Sequence, residues 1–159
     1  MKNKGFTLIE LLIVVGILAV LVGAIAAAIR PAKQFAKANN ARRWADIMNI
    51  MNAISQNIID HQGTFDTSGA NCGGALPTTI KTIKKTDGYD LCGCIVPEYI
   101  GSLSVDPTAG TPVGGVPDCA ATYDADYTII YSATTGRATI AAPSAQSEDG
   151  SAPVISITR

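Results

Sequence analysis

The alternation of apolar and polar positions changes rhythm three times along this chain. Between residues 5 and 29 the pattern is almost wholly apolar, and after Glu10 residues 11–29 carry no charge. Those 19 residues come close to the roughly 20 an α-helix needs to cross the apolar core of a bilayer. From Ala32 the apolar positions settle into helical spacing. Trp44, Ile47, Met48, Met51, Ile54 and Ile58 recur every three or four residues, with Ala41 leading in. Arg42, Arg43, Asp46, Asn49, Asn52 and Gln56 fall mainly on the other faces. The Met and Ile stripe predicts a seam against a β-sheet, and His61-Gln62-Gly63 predicts a stop with Gly63 as C-cap residue. Joined, residues 6–60 predict one helix of about 80 Å. Its first half must be buried in lipid or among copies of itself.

Beyond Gly63 the period shortens. Residues 63–79 are rich in Gly, Thr, Ser and Asn and predict a loop. Residues 79–85 are a Thr/Ile/Lys run of undecided type, and residues 91–100 predict a strand or a short turn. A Gly/Pro-rich connection follows Asp106-Pro107. Tyr127, Ile129 and Tyr131 then alternate with Thr128 and Ile130, predicting a strand over 123–131. The turn Thr134-Thr135-Gly136 leads into a second strand over 137–141, making a hairpin. Residues 143–153 predict a mobile Ser/Ala-rich segment, and residues 154–158 an edge strand.

Charge sharpens this division. Arg30, Lys33, Lys37, Arg42 and Arg43 form a basic stretch with no acid among them. From His61 onward five basic residues face ten acidic ones, so the outer part carries −5 and nothing marks it as a nucleic-acid binder. Its one basic cluster, Lys81, Lys84 and Lys85, reads as a solvated face. Four cysteines lie beyond the apolar run, and an even count in an exported domain predicts two disulfides rather than a zinc site. Cys92 and Cys94 are one residue apart, so a bond between them is strained. Two pairings stay open: Cys72–Cys92 with Cys94–Cys119, or Cys72–Cys94 with Cys92–Cys119. No catalytic pattern is present, and the single histidine, His61, falls at a helix end, so the chain does not read as an enzyme. Asp106, Asp118, Asp124 and Asp126 form a weak candidate set for calcium, which takes six to eight oxygens.

The remaining feature is Glu10, an acid in the opening turns of an apolar helix, where it costs on the order of 3 kcal/mol without a partner. Cleavage after Gly5 would give Phe6 a positive N-terminus one turn away. Lys4-Gly5-Phe6-Thr7-Leu8-Ile9-Glu10, with its short basic leader and immediate apolar run, resembles the processing site of type IV pilins and of type II secretion pseudopilins. The close similarity spans about residues 4–28. The resemblance implies an α+β pilin fold, a long N-terminal helix with a small antiparallel sheet on its C-terminal half. It divides the chain into a leader (1–5), a membrane or filament-core helix (6–30), an amphipathic half-helix (31–62) and a β-rich globular part (63–159). It implies cleavage between Gly5 and Phe6 by a prepilin peptidase, N-methylation of Phe6, and handling by an inner-membrane assembly platform. The product is a homo-oligomeric helical filament at the cell surface, or a secretion pseudopilin. In this family an acid at the position of Glu10 serves assembly, and some pseudopilins bind calcium beside an Asp-Pro like Asp106-Pro107.

Within the apolar run, Ala19, Gly23 and Ala27 recur every four residues, the spacing that lets helix backbones approach closely. Gly16 and Gly23 also weaken the helix locally. The family's mid-span proline is missing, and Pro31 is the expected place for a kink. Ordinary signal cleavage near Ala24-Ile25-Ala26, releasing a soluble binding module, is the competing expectation. An anchored adhesin that binds calcium is a third.

Overall fold

The structure is a computed structural model that describes residues 5–159; the leader positions 1–4, with Lys2 and Lys4, lie outside the described residues, as do the side chains of residues 26–29, Ala27 among them. Two helices lead the chain, α1 (Leu8–Ile29) and α2 (Pro31–Asp60). The expected single helix is therefore interrupted. Arg30 sits between the two in the left-handed region, at φ 45° and ψ 69°. The cause is local: a proline ring disfavours the right-handed helical conformation in the residue before it and brings no N–H, yet suits the first position of a new helix. Gly16 and Gly23 do not interrupt α1.

Four strands follow: β1 (Lys81–Lys84), β2 (Asp124–Ser132), β3 (Arg137–Ala141) and β4 (Ser156–Thr158), forming one antiparallel sheet in that spatial order. The β2–β3 hairpin sets Ile129 opposite Ile140 and Tyr131 opposite Ala138. Gly136, at φ 67°, closes its turn by donating to the Ser132 carbonyl at 2.8 Å. The undecided run at 79–85 contains strand β1, which pairs with β2 through a bulge between Thr82 and Lys84. Residues 91–100 hold no strand; they begin with a one-turn helix, α3 (Cys92–Ile95).

Ala125, Tyr127 and Ile129 of β2 and Ala138 and Ile140 of β3 point into the core, where Ile47, Ile50, Met51 and Ile54 of α2 meet them. The inward stripe of α2 differs from the expected one. It runs Ala36, Asn40, Arg43, Ile47, Ile50, Ile54, Asn57, a 3–4 repeat that includes polar residues. Arg43 is fully buried, whereas Trp44 and Met48 each keep 41% of their surface exposed. Two overlapping 3–4 repeats share Ile47 and Ile54, and the sheet covers the one with the more polar members.

At its far end α2 stops as expected. Gly63 takes φ 91° and donates to the Ile58 carbonyl at 2.8 Å. The Ser/Ala-rich segment at 143–153 lies as a strap across α2. The Asn40 amide donates to the Gln146 carbonyl and to Glu148 Oε1, each at 2.8 Å, and Gln146 N–H donates back to Asn40 Oδ1 at 2.9 Å. Lys33 pairs with Asp149 at its end.

Candidate processing and assembly site

The N-terminal site is simple in geometry. Residues 5–7 are not helical, so the Gly5–Phe6 peptide precedes the helix, and space around Gly5 is open. Phe6 is 78% exposed. Thr7 caps α1, its Oγ1 accepting from the Glu10 N–H at 3.3 Å and donating to Glu10 Oε2 at 3.4 Å. Glu10 thus stands in the first turn, where the helix dipole favours an anion. From Leu8 to Ile25 none of the helix is covered by the rest of the protein, and its mean hydropathy over 18 residues is 3.0. Nothing lies within 4 Å of a Cβ built on Gly16 or Gly23, so α1 has two places where another backbone has room to approach.

The four cysteines form two disulfides, Cys72–Cys94 with Cα atoms 4.8 Å apart and Cys92–Cys119 at 5.4 Å. This is one of the two pairings the spacing leaves open. The one-turn helix α3 decides between them by aiming Cys92 and Cys94 at different loops. Around it Gly69 and Gly93 bring two backbones together; a Cβ on Gly93 would stand 1.9 Å from the Ala70 carbonyl oxygen. Asn57 ties the end of α2 to the same region, donating to the Cys94 carbonyl at 3.0 Å and accepting from Asp66 N–H at 2.7 Å. His61 Nδ1 lies 2.8 Å from the Asn57 carbonyl, and Nε2 lies 3.6 Å from Asp66, a helix-end role. Lys85 is not merely solvated: Nζ reaches Asp90 at 3.0 Å, Asn71 at 3.0 Å and the Cys119 carbonyl at 2.7 Å.

The four candidate calcium ligands are not brought together. Among the described residues no group of three or more His, Cys, Asp or Glu side chains is placed to hold a metal ion. Asp106 is buried against Arg43, with Nε to Oδ2 at 2.6 Å and Nη2 to Oδ1 at 2.9 Å. Asp118 accepts from Ala120 N–H and Asp124 from Asp126 N–H, both at 2.9 Å, while Asp126 accepts from Ser144 Oγ. Asp118 and Asp124 each close a local turn, while Asp106 and Asp126 are held by Arg43 and Ser144.

The Arg43–Asp106 pair is the residue set that sequence reasoning missed. Arg43 also donates to Asn40 Oδ1 at 2.9 Å and Thr108 Oγ1 at 2.7 Å, and Thr108 and Ala109 N–H groups donate to Asp106 Oδ1. Burial alone would raise the Asp106 pKa. The guanidinium and the Thr108 and Ala109 donors outweigh it and hold the carboxyl below its ordinary value of 3.8. Asp46 goes the other way: burial raises it, against the hydrogen bond it accepts from Tyr127 at 2.9 Å. The one signal in the sequence was the Asn40-Arg43-Ile47 spacing, which places a cation on a core face.

Residues 1–26 match the family model of the prokaryotic N-terminal methylation motif, the class III signal peptide of type IV pilins and pseudopilins. No curated protein and no solved structure matches the chain. The match supports a pilin- or pseudopilin-like precursor, and the long apolar helix with a four-stranded antiparallel sheet is an α+β arrangement consistent with the pilin fold.

Proposed function

We propose that this chain is a structural subunit that polymerises into a type IV pilus or pilus-like filament after cleavage between Gly5 and Phe6. The observation that carries this reading is α1: an apolar helix with 0% of its 18-residue span buried, opened by one acid four residues beyond Phe6. Such a surface is stable in lipid or against other apolar helices, copies of itself included. The precursor sits in the inner membrane with its leader inside. A peptidase frees Phe6, whose amine is then methylated. In the filament, Glu10 of an incoming subunit pairs with the positive Phe6 terminus of a neighbour. The pair sets axial register more than it adds net stability, because desolvation offsets much of the attraction.

Filaments sheared from cells and imaged by negative stain, with N-terminal sequencing of their main component, test this. A mature chain starting at N-methyl-Phe6 in long surface filaments supports the pilus. The same N-terminus confined to the membrane fraction assigns the chain to a secretion pseudopilin. A free monomer starting after Ala26 overturns the proposal in favour of a released soluble module.

A further inference from the structure

Away from the sheet, helix α2 is open to its surroundings, and one of its uncovered stripes combines charge with aromatic surface. Arg30, just before it, and Lys33, Lys37, Ala41, Trp44 and Met48 recur at intervals of three or four residues. The stripe lies one residue, about 100°, round the helix from the buried one. Arg30, Lys37 and Ala41 are exposed, as are Trp44 and Met48. Its first half is cationic and its second half apolar and aromatic. Among the described residues, its one ion pair is Lys33 with Asp149.

Position identifies the partner. The cationic half begins at the residue that ends the apolar span, so it emerges at the depth of lipid phosphates. Arg30 breaks the helix in a left-handed conformation and Pro31 cannot donate to the α1 ladder, so α2 need not continue the axis of α1. Basic residues beside a membrane span bind anionic headgroups, and tryptophan favours the boundary between headgroups and acyl chains.

We propose that this stripe is a lipid-binding surface. Before assembly α2 lies along the outer face of the bilayer that α1 crosses. Arg30 and Lys37 meet the phosphates of anionic phospholipids, Lys33 stays with Asp149 of the strap, and Trp44 and Met48 reach the acyl boundary. The proposal rests on reading α1 as a membrane span. Trp44 is the chain's only tryptophan and stands about 20 Å of helix beyond Arg30, so it touches lipid only when α2 lies down.

The test uses the full chain reconstituted into phosphatidylcholine vesicles with and without phosphatidylglycerol, some carrying brominated acyl chains. In anionic vesicles Trp44 emission shifts to the blue, is quenched by bromine and is shielded from iodide, and high salt reverses this. Arg30→Asn and Lys37→Gln each lower the ratio of docked to undocked protein about fivefold. Both sites are exposed, and asparagine tolerates the left-handed backbone. Trp44 equally open to iodide in both lipids, with the protein still floating with the vesicles, overturns the docking and leaves the span intact. Failure to float overturns both. Shielding that rises with protein density and ignores lipid charge assigns the stripe to a second copy and overturns the lipid proposal.

Discussion

Helices α1 and α2 follow one another with a single residue between them, yet they answer to different surroundings. Across its described side chains α1 is exposed, and from Leu8 to Ile25 none of it is buried among the described residues. Nine residues of α2 are buried, and they include a fully desolvated arginine. The difference shows where each helix gets its stability. Apolar residues hold α1 only through a partner outside the chain. The sheet, the strap and the Arg43–Asp106 pair hold α2 from within. Substitutions in α1 should therefore spare folding, and substitutions on the buried face of α2 should impair it.

The largest effect tests the first half of that contrast. Glu10→Leu should abolish long filaments in negative stain while the protein still floats with membranes; normal filaments would remove the register role of Glu10. Next comes the buried pair. Arg43→Ala should cost about 3–5 kcal/mol, read by chemical denaturation of the full chain in detergent, because Asp106 is left buried and unpaired. The double change Arg43→Met with Asp106→Leu should recover much of that loss; if it does not, the pair contributes more than it costs to desolvate.

A direct pairing of the helices follows. Ile47→Ala should destabilise by about 2–5 kcal/mol, whereas Leu18→Ala should leave the melting temperature of the detergent-solubilised chain unchanged. Equal losses would mean that α1 packs within the subunit. Acid titration gives a smaller effect. Asp106 titrates below 3.8 when folded, so its contribution is present above that value and is lost as pH falls through the folded pKa. Asp46, raised above 3.8, works in the opposite sense and gains as it protonates. The melting temperature should hold from neutral pH to about 5 and fall below about 4, with a shallower acid limb in Asp106→Asn. The smallest effect expected is from calcium: added calcium should not move the melting temperature, in wild type or in Asp124→Ala. A rise lost in the variant would show a site that the separate partners of the four Asp side chains do not suggest.

Much of the fold was legible because its signals are local. The apolar run of α1, the period-2 alternation of Tyr127, Ile129 and Tyr131, and the Gly136 turn each follow from neighbours in sequence. The junction Gly5-Phe6 with Glu10 is equally local, and it needs no tertiary structure to be read. The face of α2 was not legible. Trp44 and Met48 continue one repeat as well as Arg43 and Ile50 continue the other. Asp106, which makes burial of Arg43 tolerable, lies 63 residues away.

The sequence alone determined that one end of this chain must leave water and that the other carries an exportable β-rich part, because hydropathy and strand period act over a few residues. Only the tertiary structure decided which side of α2 faces the sheet, which cysteines meet, and where the Ser/Ala-rich segment lies. Those outcomes depend on groups distant in sequence, and a buried charge or a disulfide is settled only when the folded backbone brings its partner within reach.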